Sequence, residues 1–149
     1  MNVFLGLLMI PVVFVIMEGV AWFLHKYVMH GFLWVLHEDH HRPTKSKLQK
    51  NDLYGLFFAI LSILLILLGT LNGFNALFYL GWGITSYGIG YLLFHDIMFH
   101  RRIKSIRWRP QTPYFQRIIR AHATHHQKST AHSGVAFGFL YASKKYNQG

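Results

Sequence analysis

The chain has no cysteine. That removes disulfides, thiolate-held zinc, iron–sulfur clusters and thiol catalysis together. Acids are nearly as scarce: Glu18, Glu38, Asp39, Asp52 and Asp96 are the only five in 149 residues. A carboxylate-rich site of the ferritin type takes about four Glu from a helical bundle, so a metal held here must be held mostly by nitrogen. There is no Gly-rich nucleotide fingerprint, so a redox reaction would draw its electrons from another protein. Charge is thin throughout. Charged residues make up 13% of the sequence and apolar residues 52%, against a charged share of about 25% in soluble domains.

What charge there is has a pattern. The net charge is +10, and all fifteen Lys and Arg lie at Lys26, from Arg42 to Lys50, from Arg101 to Lys128, or at Lys144 and Lys145. Residues 1–25 and 51–100 contain none. Cations confined to segments between apolar stretches follow the positive-inside rule of membrane proteins and argue against nucleic acid as the partner. The length suits one domain, residues 1–149.

Three stretches are long enough to cross a bilayer core of about 30 Å. They run over Val3–Leu24, with Glu18 as the single charge and Pro11 as a candidate kink, over Leu53–Leu71, and over Phe74–Phe94. The first has no basic leader, so it reads as a span and not as a cleaved signal. Asn72-Gly73 marks the turn between the second and third. Gly81, Gly83, Gly88 and Gly90 either let helices approach closely or are simply tolerated in lipid. Glu18 reads as an intramembrane functional acid or as a carboxyl bonded between helices. Gln116–His126 has the periodicity of an interfacial amphipathic helix, after a loop punctuated by Pro110 and Pro113. Residues 134–141 are apolar but too short to span, and either dip into the membrane or pack beneath the functional site. The expectation is an all-α integral membrane protein with about three transmembrane helices and interfacial helices on one side.

Ten of the eleven histidines fall into one pattern written twice. H-x4-H followed by H-x2-H-H occurs as His25, His30, His37, His40 and His41, and again as His95, His100, His122, His125 and His126. Counting spans puts both sets on the same face, which is also the face carrying every Lys and Arg, hence the cytoplasmic one. Positions i, i+3 and i+4 share a helix face, so each H-x2-H-H projects together. Residues five apart stand about 140° apart on an ideal α-helix; such a pair either lines two sides of a site or is aligned by a local widening to π-type turns. Ten imidazoles exceed what one ion needs, and two ions with four or five nitrogen ligands each would use them. Nitrogen-rich sites suit Fe, Zn, Cu or Ni.

His132 stands outside the pattern and reads as structural or as supporting a ligand. Asp96 either orients the His95 imidazole or pairs with Arg101 or Arg102. His37-Glu38-Asp39-His40-His41 also satisfies the zinc-protease motif H-E-x-x-H. The second copy has Ala123 where Glu38 stands, so the shared feature is H-x2-H-H. A different class of function, a non-catalytic histidine-rich metal-binding membrane protein, is also open, although its ligands would be expected through the bilayer midplane.

These boxes resemble those of the membrane fatty-acid-hydroxylase superfamily. YVMHGFLWVLHEDHH and FHDIMFHRR are similar to the same blocks in compact bacterial β-carotene hydroxylases, a resemblance running from about Trp22 to His126. It implies a non-haem di-iron monooxygenase of the bacterial inner membrane, with O2 as co-substrate. The ten paired histidines would be its metal ligands. The substrate implied is β-carotene, hydroxylated at ring carbon 3 to zeaxanthin through β-cryptoxanthin. Fatty acyl or sterol lipids, by hydroxylation or desaturation, are the alternative. An external donor is implied too, a ferredoxin with its reductase. The basic stretch Arg101–Arg109 would dock an acidic donor or anionic headgroups. Trp22, Phe23, Tyr27, Phe94 and Phe99 are candidates to line a substrate path, or else belong to an interfacial belt.

Overall fold

The computed structural model describes residues 2–42, 46, 48–106, 108, 110–127 and 130–147. Pro43, Lys45, Lys47, Arg107, Arg109 and Lys128 lie outside the described residues, and with them part of the basic face. The described residues form helices and irregular chain, with no strand among them.

Helix α1 (Val3–Phe23) opens with the Asn2 side chain accepting the Phe4 N–H at 2.9 Å, and it runs through Pro11 unbroken. It passes without a gap into a π-helix over Leu24–Phe32, whose helical backbone is broken at Gly31. A 3-10 turn (Trp34–Leu36) leads to the one-turn α2 (Glu38–His41). Helix α3 (Asp52–Leu71) and α4 (Ala76–Tyr91) form an antiparallel hairpin around Gly73 (φ 72°), and α4 continues as a second π-helix over Leu92–Phe99. Helix α5 covers Pro113–His126.

Three helical stretches, Val3–Phe32 (with its break at Gly31), Asp52–Leu71 and Ala76–Phe99, are long and apolar enough to cross a membrane. The third therefore runs five residues past its expected end, because the widened turns carry it on through Phe99. Helix α5 starts three residues earlier than expected. Pro113, expected in the loop, is instead its first residue, where a missing N–H costs nothing, and Thr112 caps it.

In lipid, helices associate by close packing and not by hydrophobic gain. Helix α4 is the one packed on both neighbours. A Cβ on Gly83 would stand 2.5 Å from Val13 Cβ of α1, and one on Gly81 would stand 2.8 Å from the Ser62 carbonyl oxygen of α3. These two glycines are therefore contact surfaces; Gly88 has nothing within 4 Å of its Cβ position and Gly90 only ordinary contacts. Side chains such as Leu5, Val15, Ile63 and Leu67 face outward, as lipid-facing residues do.

The segment after α5 folds back under the histidines. Phe139 is buried among Val13, Met17, Ile84 and Tyr87 of α1 and α4. Glu18 holds it there: its carboxylate accepts the Phe139 and Leu140 N–H groups at 3.1 and 3.0 Å and the Tyr87 hydroxyl at 2.9 Å. The intramembrane acid is thus a fastener between helices, and residues 134–141 pack beneath the site.

Candidate metal centre

Both H-x4-H pairs lie on the π-helical turns. The His100 N–H donates to the His95 carbonyl at 3.0 Å, and the Leu33 N–H to the Val28 carbonyl at 3.0 Å, each a bond spanning five residues. Such turns stack residues i and i+5, which an α-helix holds apart. The ring centroids of His25 and His30 come to 5.2 Å, and those of His95 and His100 to 4.6 Å.

The H-x2-H-H boxes sit on α2 and at the end of α5, and they are shared between two groups. His25, His30, His37, His41 and His125 each offer a nitrogen within 4.8 Å of all the others; His40, His100, His122 and His126 do the same. The outer histidines of each box, four apart, stay with their own copy. The middle one crosses: His40 joins the second group and His125 the first. His95 stands beside the second group without meeting its common limit; its Nε2 lies 3.1 Å from that of His40. His132 is exposed and belongs to neither group.

The hydrogen bonds around the rings determine where the lone pairs point. The Nδ1–H groups of His25, His30 and His125 donate to the carbonyls of Phe137, Ala131 and Val135 at 2.8, 3.1 and 2.6 Å. Those of His37, His40 and His95 donate to Asn51 Oδ1 at 2.7 Å, Gln49 Oε1 at 2.9 Å and Asp96 Oδ1 at 2.8 Å. A neutral ring that donates through Nδ1 has only a lone pair at Nε2. Yet Nε2 faces Nε2 at 3.1 Å between His25 and His37, 3.2 Å between His30 and His125, and 3.1 Å between His40 and His95. Lone pairs set against each other repel, and they are stabilised by a cation between them. For metal–nitrogen bonds of about 2.1 Å, ligands at a right angle stand about 3.0 Å apart, which matches these spacings. His126 Nε2 is also buried without a hydrogen-bond partner. The residues present fit a pair of metal ions.

Protonation would oppose this, and the surroundings prevent it. Burial, then the neighbouring imidazoles, hold His37 down at about 2, and His100 at about 3. Burial holds His125 at about 4, against the pull of its bond to Val135. His40, His122 and His126 are lowered as well, chiefly by burial. All six stay neutral near pH 7, the form that binds metal.

The sequence profile described as "Fatty acid hydroxylase" matches residues 10–143. The chain belongs to the fatty acid hydroxylase family. It is 43% identical over 128 residues to a protein named beta-carotene hydroxylase from Pseudescherichia vulneris, covering 86% of this chain and 72% of that one. It is 44% identical over 126 residues to one of the same name from Pantoea ananas, with 85% and 71% covered, and 38% identical to one from Paracoccus sp. (strain PC1), with 85% and 78% covered. No solved structure matches.

For a member of the fatty acid hydroxylase family, a place for an apolar substrate should adjoin the histidines. A cavity of about 540 Å³ lies between α1, α3 and α4, walled mainly by apolar residues such as Met17, Phe58 and Ile84. Its polar lining includes Asn51, Tyr91, Asp96 and the paired Asp52 and Arg102; of these Asn51 and Asp96 hold His37 and His95. The Tyr91 hydroxyl is 3.2 Å from His95 Nε2, and its ring stacks on that imidazole with centroids 4.3 Å apart. Trp22, Phe23, Tyr27, Phe94 and Phe99 do not line the cavity. The first three are exposed around Lys26, and Phe99 stacks on His122 with centroids 4.4 Å apart.

Other residues also take defined places. Asp96 does both things expected of it: Oδ1 holds His95, and Oδ2 meets Arg102 at 3.4 Å. Arg102 makes a two-pronged pair with Asp52, both bonds 2.7 Å. Glu38 pairs outward with Arg42 at 2.8 Å, so it is not poised as the base of a zinc protease. Sequence reasoning missed Gln49, Asn51, Tyr91 and the carbonyls of Ala131, Val135 and Phe137. The carbonyls carry no residue-type signal. The one hint in the backbone is Ala136, held at φ 57° between two of them, a conformation that costs an alanine energy and marks a segment forced into place.

Proposed function

We propose that this chain is a non-haem di-iron monooxygenase that hydroxylates β-carotene at ring carbon 3, giving zeaxanthin by way of β-cryptoxanthin. The observation that carries the reading is the pair of inward-facing histidine groups beside an apolar cavity in a chain whose relatives are named beta-carotene hydroxylases. His25, His30, His37, His41 and His125 would hold one iron. His40, His100, His122 and His126 would hold the other, with His95 beside them. The iron pair supplies the activation of O2 that an unreactive ring C–H bond needs and that no side chain provides. One oxygen atom goes to the ring as hydroxyl and the other leaves as water, which takes two electrons and two protons from outside. A ferredoxin with its reductase is the donor.

The protein's own share is to hold the imidazoles neutral and oriented, to seat the ring, and to keep water out. Asn51, Gln49, Asp96 and the three carbonyls orient the ligands. The apolar wall seats the ring. The Tyr91 hydroxyl stands where the cavity meets His95. The chain would act as one domain over residues 1–149, in the bacterial inner membrane with its histidines on the cytoplasmic side; the confinement of its cations to segments between the spans supports that orientation.

The test is expression in bacteria that accumulate β-carotene and supply a ferredoxin donor, with pigments separated by chromatography. Appearance of zeaxanthin, together with about two irons per chain by elemental analysis, supports the reading. β-Carotene persisting despite folded, iron-loaded protein sinks it and points to a lipid substrate; active protein without metal sinks the iron assignment.

A further inference from the structure

We propose that the substrate enters sideways from the membrane, through an opening between α3 and α4 whose width is set by Gly55 and Gly88. This rests on the carotenoid reading and adds to it the route and the residues that control it.

The α3–α4 hairpin is tight at one end and open at the other. Next to the turn, a Cβ on Gly69 would collide with the Phe78 backbone. Further along, one on Gly81 would stand 2.7 Å from Ile66 Cγ1 and 2.8 Å from the Ser62 oxygen. Two turns on, the same faces behave differently. Gly88 lies seven residues after Gly81, and Gly55 seven before Ser62, so each keeps nearly the same heading around its helix. At both, a Cβ would find nothing within 4 Å. The helices therefore part toward the histidine end.

The gap they leave is the cavity. Gly55 and Gly88 both line it and both are exposed, so it opens there to the outside of the bundle, within the lengths of the spans. In a membrane an opening at these positions would face lipid. Glycine weakens a helix relative to alanine. Close packing accounts for that choice at Gly69 and Gly81, but not at Gly55 or Gly88. What the missing side chains do provide is room for an occupant wider than a single acyl chain. A ring at the end of a long apolar molecule can pass head first to Tyr91, Asn51 and Asp96, while the rest of the molecule stays in the bilayer.

The absence of cysteine makes a clean test. Single-cysteine variants Gly55→Cys, Gly88→Cys and Gly19→Cys are made in membranes and treated with pyrenyl maleimide. Gly19 is the control: it is exposed on α1 with nothing within 4 Å, away from the cavity. Modification at position 88 or 55 should slow β-carotene conversion about tenfold or more relative to the same variant untreated, with iron content unchanged. Modification at position 19 should leave conversion alone. Gly88→Leu and Gly55→Leu block the same space without labelling and should show the same loss at unchanged iron content. Full conversion by both leucine variants, or by the labelled thiols, overturns the entrance. Absence of conversion by the unsubstituted chain is a failure of the carotenoid reading instead. The entrance then stands or falls on whether added β-carotene slows labelling at position 88 but not at position 19.

Discussion

The two histidine copies have the same spacings and unlike scaffolds. In the first, His37 follows His30 by seven positions, and a tight turn closed by the His37 N–H on the Trp34 carbonyl (2.8 Å) covers the distance. In the second, His122 follows His100 by twenty-two positions, with Arg101 at φ 52° starting a loop that leads into α5. The local spacings recur because ligand geometry is local: five residues per widened turn, and three and four on an α-turn. The link between boxes is free to vary because it only delivers them. The supports differ too. His37 and His40 lean on side chains just before α3, His95 on its own neighbour Asp96, and His25, His30 and His125 on the backbone of one segment that follows α5.

The largest effect should come from the crossing histidines. His125→Ala removes a residue of the second box from the group of the first, and His40→Ala does the reverse. Each should abolish conversion and lower iron below two per chain by elemental analysis. Retention of both irons and of turnover in either variant would break the shared-group geometry.

A smaller loss separates the two kinds of support. Asn51→Ala and Asp96→Ala should each weaken metal binding about 10–100-fold, measured by competition with a chelator. Equal affinity to the unsubstituted chain would show that these bonds do not orient His37 and His95.

Acid should destabilise the metal-free protein over a defined range. Burial holds His37, His100 and His125 at about 2, 3 and 4 when folded, against about 6.5 for an unperturbed imidazole. Below about 6.5 the unfolded chain takes up protons that the folded chain refuses, so stability is present above that pH and is lost as pH falls toward 4. Helical circular dichroism during thermal melts in detergent should show the melting temperature falling through this window. A flat profile would mean the imidazoles are not buried as neutral groups.

Least change is expected from the outward residues. Glu38→Gln and His132→Ala should leave conversion within about twofold, as surface changes usually do. Loss of activity in Glu38→Gln would revive the H-E-x-x-H reading.

Much of the candidate site was legible because its elements are local. The periodic histidines, the charge-free stretches and the topology that brings both copies to one face follow from spacing and charge placement. The widened turns were one of two arrangements that H-x4-H allowed, the other being a pair lining two sides of a site, and the structure takes the widened turns. Glu18 was visible as an anomaly but not as a fastener, because its partners, the Phe139 and Leu140 N–H groups, lie over 120 residues away. Whether Trp22, Phe23, Tyr27, Phe94 and Phe99 line a path or belong to an interfacial belt could not be decided from sequence for a similar reason: nothing in an apolar run says which side faces a cavity and which faces lipid.

By itself, the sequence determined that this is a membrane helical protein with two sets of histidines in the same spacing, because those properties depend on residues near one another in the chain. The tertiary structure decided the rest: that His40 and His125 change partners, that anonymous carbonyls orient three rings, and that α3 and α4 part beside the site. Each of these is a meeting of distant segments, settled by which surfaces pack closely and which cannot.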